Sequence, residues 1–175
     1  PPGAAVRAYP VVERWAAVWI WMGDSSLADP ASVPEVFWLD DSGWTPAPGY
    51  LRAQADYRLL VDNLLDLSHV SYLHQGTLAG SDIEAVTPVT TTRQGERILV
   101  GRCLEDVLVP PLYSEASGIT GRVDRWQWIT WEAPANVYFD IGCARAGTGA
   151  PEGDRSQGIS MWSTHLITPE TENST

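Results

Sequence analysis

Cysteine, lysine and long apolar runs are what this 175-residue chain has least of, and each shortage closes a class of explanation. Two cysteines, Cys103 and Cys143, do not make the disulfide framework of a small secreted domain, so a reducing, cytoplasmic setting is expected. The eleven basic residues are all arginine and stand against twenty-two acidic ones, for a net charge of −11. Phosphate backbones demand a basic surface, so no nucleic acid is expected as partner, and the charge reads as a solubilising surface. No apolar run approaches the ~20 residues of a membrane span, and no basic-then-apolar signal segment stands out, so no membrane is expected either. Internal repeats and low-complexity tracts are lacking too.

Histidine is also scarce, yet two of the three histidines fall inside Asp62-Asn63-Leu64-Leu65-Asp66-Leu67-Ser68-His69-Val70-Ser71-Tyr72-Leu73-His74, beside two aspartates and an asparagine. Two neutral imidazoles plus one carboxylate, with coordination positions left open, are the ligand set of non-haem ferrous oxygenases. His69 and His74 are therefore candidate metal ligands, and the carboxylate must be found elsewhere. On an undistorted helix, residues five apart point about 140° away from each other. A shared metal thus requires the helix to bulge or end between His69 and His74, and Gly76 is placed to stop it in a left-handed conformation. Asn63 and Asp66, like Asp66 and His69, are three apart and would share helix surface. The competing reading is an amphipathic helix that buries Leu60, Leu64 and Leu67 and merely hydrogen-bonds its histidines. For either histidine alone that reading is preferable; for the whole constellation, metal is.

The run Asn63-Leu64-Leu65-Asp66-Leu67-Ser68-His69, followed by His74-Gln75-Gly76, resembles the Rieske non-haem iron oxygenases. Thr164-His165-Leu166-Ile167-Thr168-Pro169-Glu170-Thr171, and Tyr9-Pro10-Val11-Val12-Glu13 with Val18-Trp19-Ile20-Trp21-Met22-Gly23-Asp24, narrow the resemblance to the vanillate O-demethylase type of oxygenase component. The resemblance implies mononuclear Fe(II) held by His69 and His74, with Asn63 near the iron. It makes Asp66 an acidic bridge to a histidine ligand of the adjacent subunit's Rieske cluster, and hence implies a ring-shaped homotrimer. It places His165, and with less force Phe139, at an aromatic substrate. The implied reaction is O2-dependent hydroxylation of an aryl methyl ether, releasing a phenol and formaldehyde. Electrons would come from an NAD(P)H-dependent reductase component through a Rieske [2Fe-2S] cluster.

Two departures accompany the match. A Rieske cluster needs two cysteines and two histidines, and neither Cys103 nor Cys143 has a histidine at the Cys-x-His or Cys-x-x-His spacing. The family carries that cluster domain at its N-terminus. Residues 1–24 are therefore expected to be its C-terminal remnant, 25–50 a linker and 51–175 the catalytic iron domain. The family's third iron ligand is an aspartate well beyond the Thr-Pro-Glu-Thr stretch, and none of Asp140, Glu152, Asp154, Glu170 or Glu172 matches it. The chain, which begins at Pro1, is expected to be an internal piece of a longer oxygenase, with its catalytic domain incomplete at the C-terminus.

Residues 6–12 and 15–21 read as a β-hairpin, and the proline-rich stretch 24–48 as an irregular linker. Residues 51–58 look like a strand that enters a long helix beginning near Leu60. Further strands are expected at 84–92, 97–107, 122–132, 136–144 and 158–168, with turns at 93–96 and 146–153. The fold class is α+β, an antiparallel sheet wrapped around a long helix, which matches the START-like helix-grip shape the resemblance implies.

Trp126, Trp128 and Trp131 cluster on one strand and offer an aromatic wall, although alternation gives Trp126 and Trp128 a shared face that more simply packs the sheet. The same alternation puts Val137, Phe139 and Ile141 together, as pocket or as core. Other classes stay open: a ring-hydroxylating oxygenase of the same family, a metal-free helix-grip module for a hydrophobic ligand, and a zinc hydrolase. The last is weakened because no glutamate adjoins His69 or His74.

Overall fold

The strands expected from residue 97 onward are realised with bounds that differ by two residues at most. The computed structural model describes residues 3–175, and the chain divides into two units, Pro1–Tyr50 and Leu51–Thr175. Residues 1 and 2 of the expected 1–24 segment lie outside the described residues.

In the first unit, β1 (Val11–Arg14) and β2 (Ala17–Ile20) pair antiparallel as the expected hairpin, with shorter strands than the β-rich runs. Trp15 and Ala16 form its two-residue turn with φ of 57° and 54°, the handedness that fits the twist of paired strands. The following stretch is irregular but organised. Asp24 and Asp29 cap single 3-10 turns, Ser25–Leu27 and Pro30–Ser32, and a third turn, Phe37–Leu39, contains the buried Trp38.

In the second unit, β3 (Thr90–Gln94), β4 (Arg97–Leu108), β5 (Arg122–Glu132), β6 (Asn136–Arg145) and β7 (Gly158–Leu166) form one antiparallel meander in chain order. Helices α1 (Tyr57–Leu65), α2 (Val70–Leu73), α3 (Ile83–Val86) and α4 (Pro111–Ser117) complete the α+β fold. The inner sheet face meets α1 through Val61, Leu67, Val100, Ile129 and Val137, a buried cluster. A second cluster, Leu104, Val107, Tyr113, Ile119, Val123 and Cys143, includes Tyr113 of α4. On the opposite face Trp126 packs with Ala144, Ala150 and Trp128.

Four local expectations are corrected. Residues 51–58 are not a strand: they run irregularly into α1, which starts at Tyr57 because the Asp56 carboxylate accepts from the Arg58 backbone N–H at 2.8 Å. Arg58 also draws the Asp56 pKa down to about 2. Residues 84–92 are not one strand, since α3 occupies Ile83–Val86 and pairing begins at Thr90, beyond Pro88, which has no N–H to donate. The single long helix is split into α1 and α2. Helix α4 was not expected, although Pro at its start and Gly118 at its end, with φ of 71°, are its ordinary punctuation. No helix among the described residues is long and apolar enough to cross a membrane.

Candidate metal centre

The helix break lies N-terminal to His69, not between the two histidines. Asp66 leaves the helical conformation (φ −82°, ψ 94°), and its Oδ1 accepts from the Ser68 backbone N–H at 2.8 Å and from the Ser68 hydroxyl at 2.5 Å. An Asp-x-Ser turn of this kind competes with helix propagation, because the side chain offers the backbone another partner. The chain then makes one turn, α2, with His69 at its N-cap and His74 at its C-cap. Four residues separate the imidazoles, and the helical conformation ends at His74 (φ −114°, ψ 26°). Their ring centroids are 5.2 Å apart at 64°.

His69 Nδ1 lies 2.5 Å from the Asp66 carbonyl oxygen. A carbonyl only accepts, so Nδ1 carries the proton and Nε2 keeps the lone pair a metal needs. The Asp66 carboxylate is exposed, and its pKa is lowered, chiefly by the Ser68 hydroxyl. Only one of its oxygens is used by Ser68.

Both histidines open on a cavity of about 200 Å³. On its helical side stand Asn63, Asp66 and Leu64; on its sheet side stand Gln127, Ile129, Phe139 and Ile141. Of the residues singled out by sequence, Asn63, Asp66, His69, His74 and Phe139 therefore share one cavity. His165 stands behind Phe139, with ring centroids 4.9 Å apart, and its Nε2 is 2.9 Å from the Ser163 hydroxyl. Burial lowers its pKa, favouring the neutral imidazole. Trp126 and Trp128 lie on the other face of the sheet and pack it, as the simpler reading expected; the Trp126 indole donates to Asp140 at 3.1 Å.

The sequence reading missed a buried polar group at the sheet side. Glu84 is fully buried and accepts from Arg125 Nη1 at 2.6 Å and from the Gly80 backbone N–H at 2.8 Å. Arg102 faces Gln127 across β4 and β5 and donates to its Oε1 at 2.9 Å. Arg125 and Tyr113 also line the cavity, the guanidinium 5.4 Å from the ring centroid. Arg125 and Gln127 at alternate positions of an otherwise tryptophan-rich strand were the available signal.

The donor chemistry fits two of the three protein ligands of a ferrous site: among the described residues the two imidazoles come together, and no group of three His, Cys, Asp or Glu side chains does. Neither cysteine joins them, and burial pushes the Cys143 thiol up to about 11.

Comparison with known proteins bears on the same segment. Residues 53–175 match the family model of the vanillate O-demethylase oxygenase C-terminal domain. The toluene-4-sulfonate monooxygenase system iron-sulfur subunit TsaM1 of Comamonas testosteroni is 40% identical over 98% of this chain and 50% of its own length. A vanillate O-demethylase oxygenase subunit of Pseudomonas sp. is 36% identical over 97% of this chain and 53% of its own. Crystal structures of dicamba monooxygenase superpose with a TM-score of 0.86 when bound to 3,6-dichlorosalicylic acid and 0.75 with non-heme iron and dicamba. They are 33% and 31% identical, covering 99% of this chain and 50% and 47% of theirs. The chain spans about half the length of the relatives it matches.

Proposed function

The chain belongs to the family of vanillate O-demethylase oxygenase C-terminal domains, and from that premise we propose that it carries the catalytic half of an oxygenase component acting on an aromatic compound. The reaction proposed is O2-dependent hydroxylation of an aryl methyl ether, yielding a phenol and formaldehyde. The observation that carries the proposal is the imidazole pair: two rings 5.2 Å apart, one with its tautomer set by the Asp66 carbonyl, opening on a largely apolar cavity. Residues 1–24 are proposed as the end of a Rieske domain, 25–50 as a linker and 51–175 as the iron-bearing domain. The division at Tyr50/Leu51 supports the last boundary.

His69 and His74 would hold ferrous iron together with a carboxylate from outside this chain; the iron, when bound, supplies dioxygen activation. The remaining work falls to the chain itself. Leu64, Ile129, Phe139 and Ile141 exclude water and pack an aromatic ring. Asn63 lies beside the histidines, and neutral His165 backs Phe139. Asp66 keeps Ser68 and the turn before His69 in place with one carboxylate oxygen and leaves the other for a donor outside the chain. That donor is proposed to be a histidine ligand of a neighbouring subunit's [2Fe-2S] cluster in a homotrimer supplied by a reductase.

The test is made on the full-length protein with a reductase and an aryl methyl ether such as vanillate. Iron content that depends on both histidines, together with formaldehyde formed one-to-one with the phenol, is expected. Mononuclear iron, counted beyond the two irons of the [2Fe-2S] cluster, that persists after His69→Ala with His74→Ala, or substrate consumed without formaldehyde, overturns the reading.

A further inference from the structure

The sheet side of the cavity holds a side chain whose orientation is decided from behind. Gln127 and Arg102 are direct cross-strand partners, both 3% exposed. Arg102 Nε donates to Gln127 Oε1 at 2.9 Å. Its Nη1 donates to the carbonyls of Glu84 and Thr87, and its Nη2 to the Leu67 carbonyl at 3.3 Å. Four acceptors on three segments hold this guanidinium still.

A guanidinium has only donors, whereas a carboxamide has an accepting end and a donating end. Turning the Gln127 amide over would set its NH2 against the Arg102 N–H, two donors facing each other away from water, at the cost of unsatisfied buried groups. The oxygen must face Arg102. The Nε2 amino group therefore stands on the side away from the guanidinium, in a residue that lines the cavity. Beside it Ile129, Phe139 and Ile141 donate no hydrogen bond, and the Arg125 guanidinium, which also lines the cavity, is engaged through Nη1 with Glu84. The helical side brings the histidine pair to the same space.

We infer that Gln127 is the substrate-orienting donor of this pocket, with its amide direction locked by Arg102, and that the pocket selects an aromatic ligand bearing an acceptor oxygen in addition to the reacting group. This rests on the oxygenase reading for the identity of the reacting group but not for the binding step. Arg102 is a positioning residue twice over. Through Leu67 it also anchors the turn that leads into His69, so one buried side chain sets both the substrate donor and the metal-bearing turn.

The decisive variant is Gln127→Glu. The carboxylate accepts from Arg102 as the amide does, so the wall stays satisfied and the fold is retained, but the group facing the cavity changes from donor to acceptor. Binding is measured by calorimetry on the anaerobic full-length protein, using 4-methoxybenzoate and its acceptor-poor counterpart 4-methoxytoluene. Wild type is expected to bind 4-methoxybenzoate more tightly. Gln127→Glu is expected to weaken it by about 10-fold to 100-fold, the scale of one unsatisfied buried group, and to change 4-methoxytoluene binding by less than about 2-fold. Iron content and thermal midpoint should match wild type, because Gln127 touches neither histidine. Gln127→Met, which removes the donor and adds no charge, should weaken 4-methoxybenzoate in the same direction. Unchanged 4-methoxybenzoate binding in Gln127→Glu, or equal binding of the two probes by wild type, overturns the inference. Loss of formaldehyde production with the binding pattern intact would instead count against the demethylase reading alone.

Discussion

Glu84→Gln should be among the most damaging single substitutions in this fold, although it changes neither size nor hydrogen-bond reach. Glu84 is 0% exposed and Arg125 is 1% exposed, and the pair meets at 2.6 Å. Arg102, at 3% exposed, donates to the Glu84 backbone carbonyl, so the carboxylate is paired with Arg125 alone but its charge also acts on Arg102. Burial pushes the Arg102 pKa down, and the Glu84 charge works against that while Arg125 adds to it. The glutamine amide oxygen can still accept from Gly80, but its NH2 then faces the Arg125 guanidinium, so the charge and one acceptor are lost together. Breaking a buried pair by neutralising one partner costs about 3–5 kcal/mol. Here the upper part of that range is expected, because both arginines lose their counter-charge. Arg125→Met should cost a similar amount, about 3–5 kcal/mol, because it leaves the fully buried Glu84 carboxylate without its cation, with only the Gly80 N–H donating to it.

Urea denaturation of the full-length protein, followed by tryptophan fluorescence, gives these values directly. A loss of 3–5 kcal/mol corresponds to roughly 6–20 °C in the thermal midpoint for a unit of this size. The double variant should be more stable than the sum of the two single losses predicts by at least about 1 kcal/mol, since removing both members of the ion pair leaves neither of them unpaired. A loss below about 1 kcal/mol in either single variant would refute the account of a buried ion pair between Glu84 and Arg125.

Asp66→Asn keeps an oxygen for Ser68, so stability should stay within about 0.5 kcal/mol and bound iron should be unchanged. Turnover should fall by at least about 10-fold to 100-fold, and full activity would refute the bridging role. His165, whose pKa burial lowers, is neutral in the fold while the unfolded chain takes up a proton near the ordinary value of 6.5. Stability should therefore decline as pH falls through about 6.5 and level off once the folded form also protonates; a stability curve from pH 4.5 to 7.5 should lose that slope in His165→Gln. Cys143, fully buried and with its pKa raised to about 11, should stay unlabelled by a thiol-disulfide reagent at pH 8 in the folded protein and react on unfolding. Gly142→Ala would place a Cβ 2.3 Å from the Ile159 carbonyl oxygen and 2.3 Å from the Trp126 ring, and should destabilise by about 1–3 kcal/mol in the same urea assay.

The strands β4 to β7 were legible because each is a run of nine or more residues rich in β-branched, aromatic and other apolar side chains, bounded by turn residues. The helix break was not, because Leu60, Leu64 and Leu67 keep helical spacing straight across it. What ends α1 is Asp66 turning its carboxylate to Ser68, a local competitor that apolar periodicity does not register. The histidines and Asp66 announced themselves by residue type. Arg102, Gln127 and Glu84 did not, since a buried charge makes sense only beside its partner, and these partners lie 18 to 41 residues apart.

Register is what joins them, and side chains alternate with a period of two, so a slip of one residue would carry Arg102 and Gln127 to the outer face and turn the tryptophans toward the cavity. The glycines prevent it. Gly101 lies opposite Trp128 and Gly142 opposite Trp126, where any Cβ would fall 2.1 Å and 2.3 Å from those rings. An indole folded over a bare glycine fixes one pairing among the alternatives, because each tryptophan fits only where the neighbouring strand has no side chain. Two glycines and two tryptophans on the outer face thus set the alignment that aims Gln127 at the pocket on the inner one.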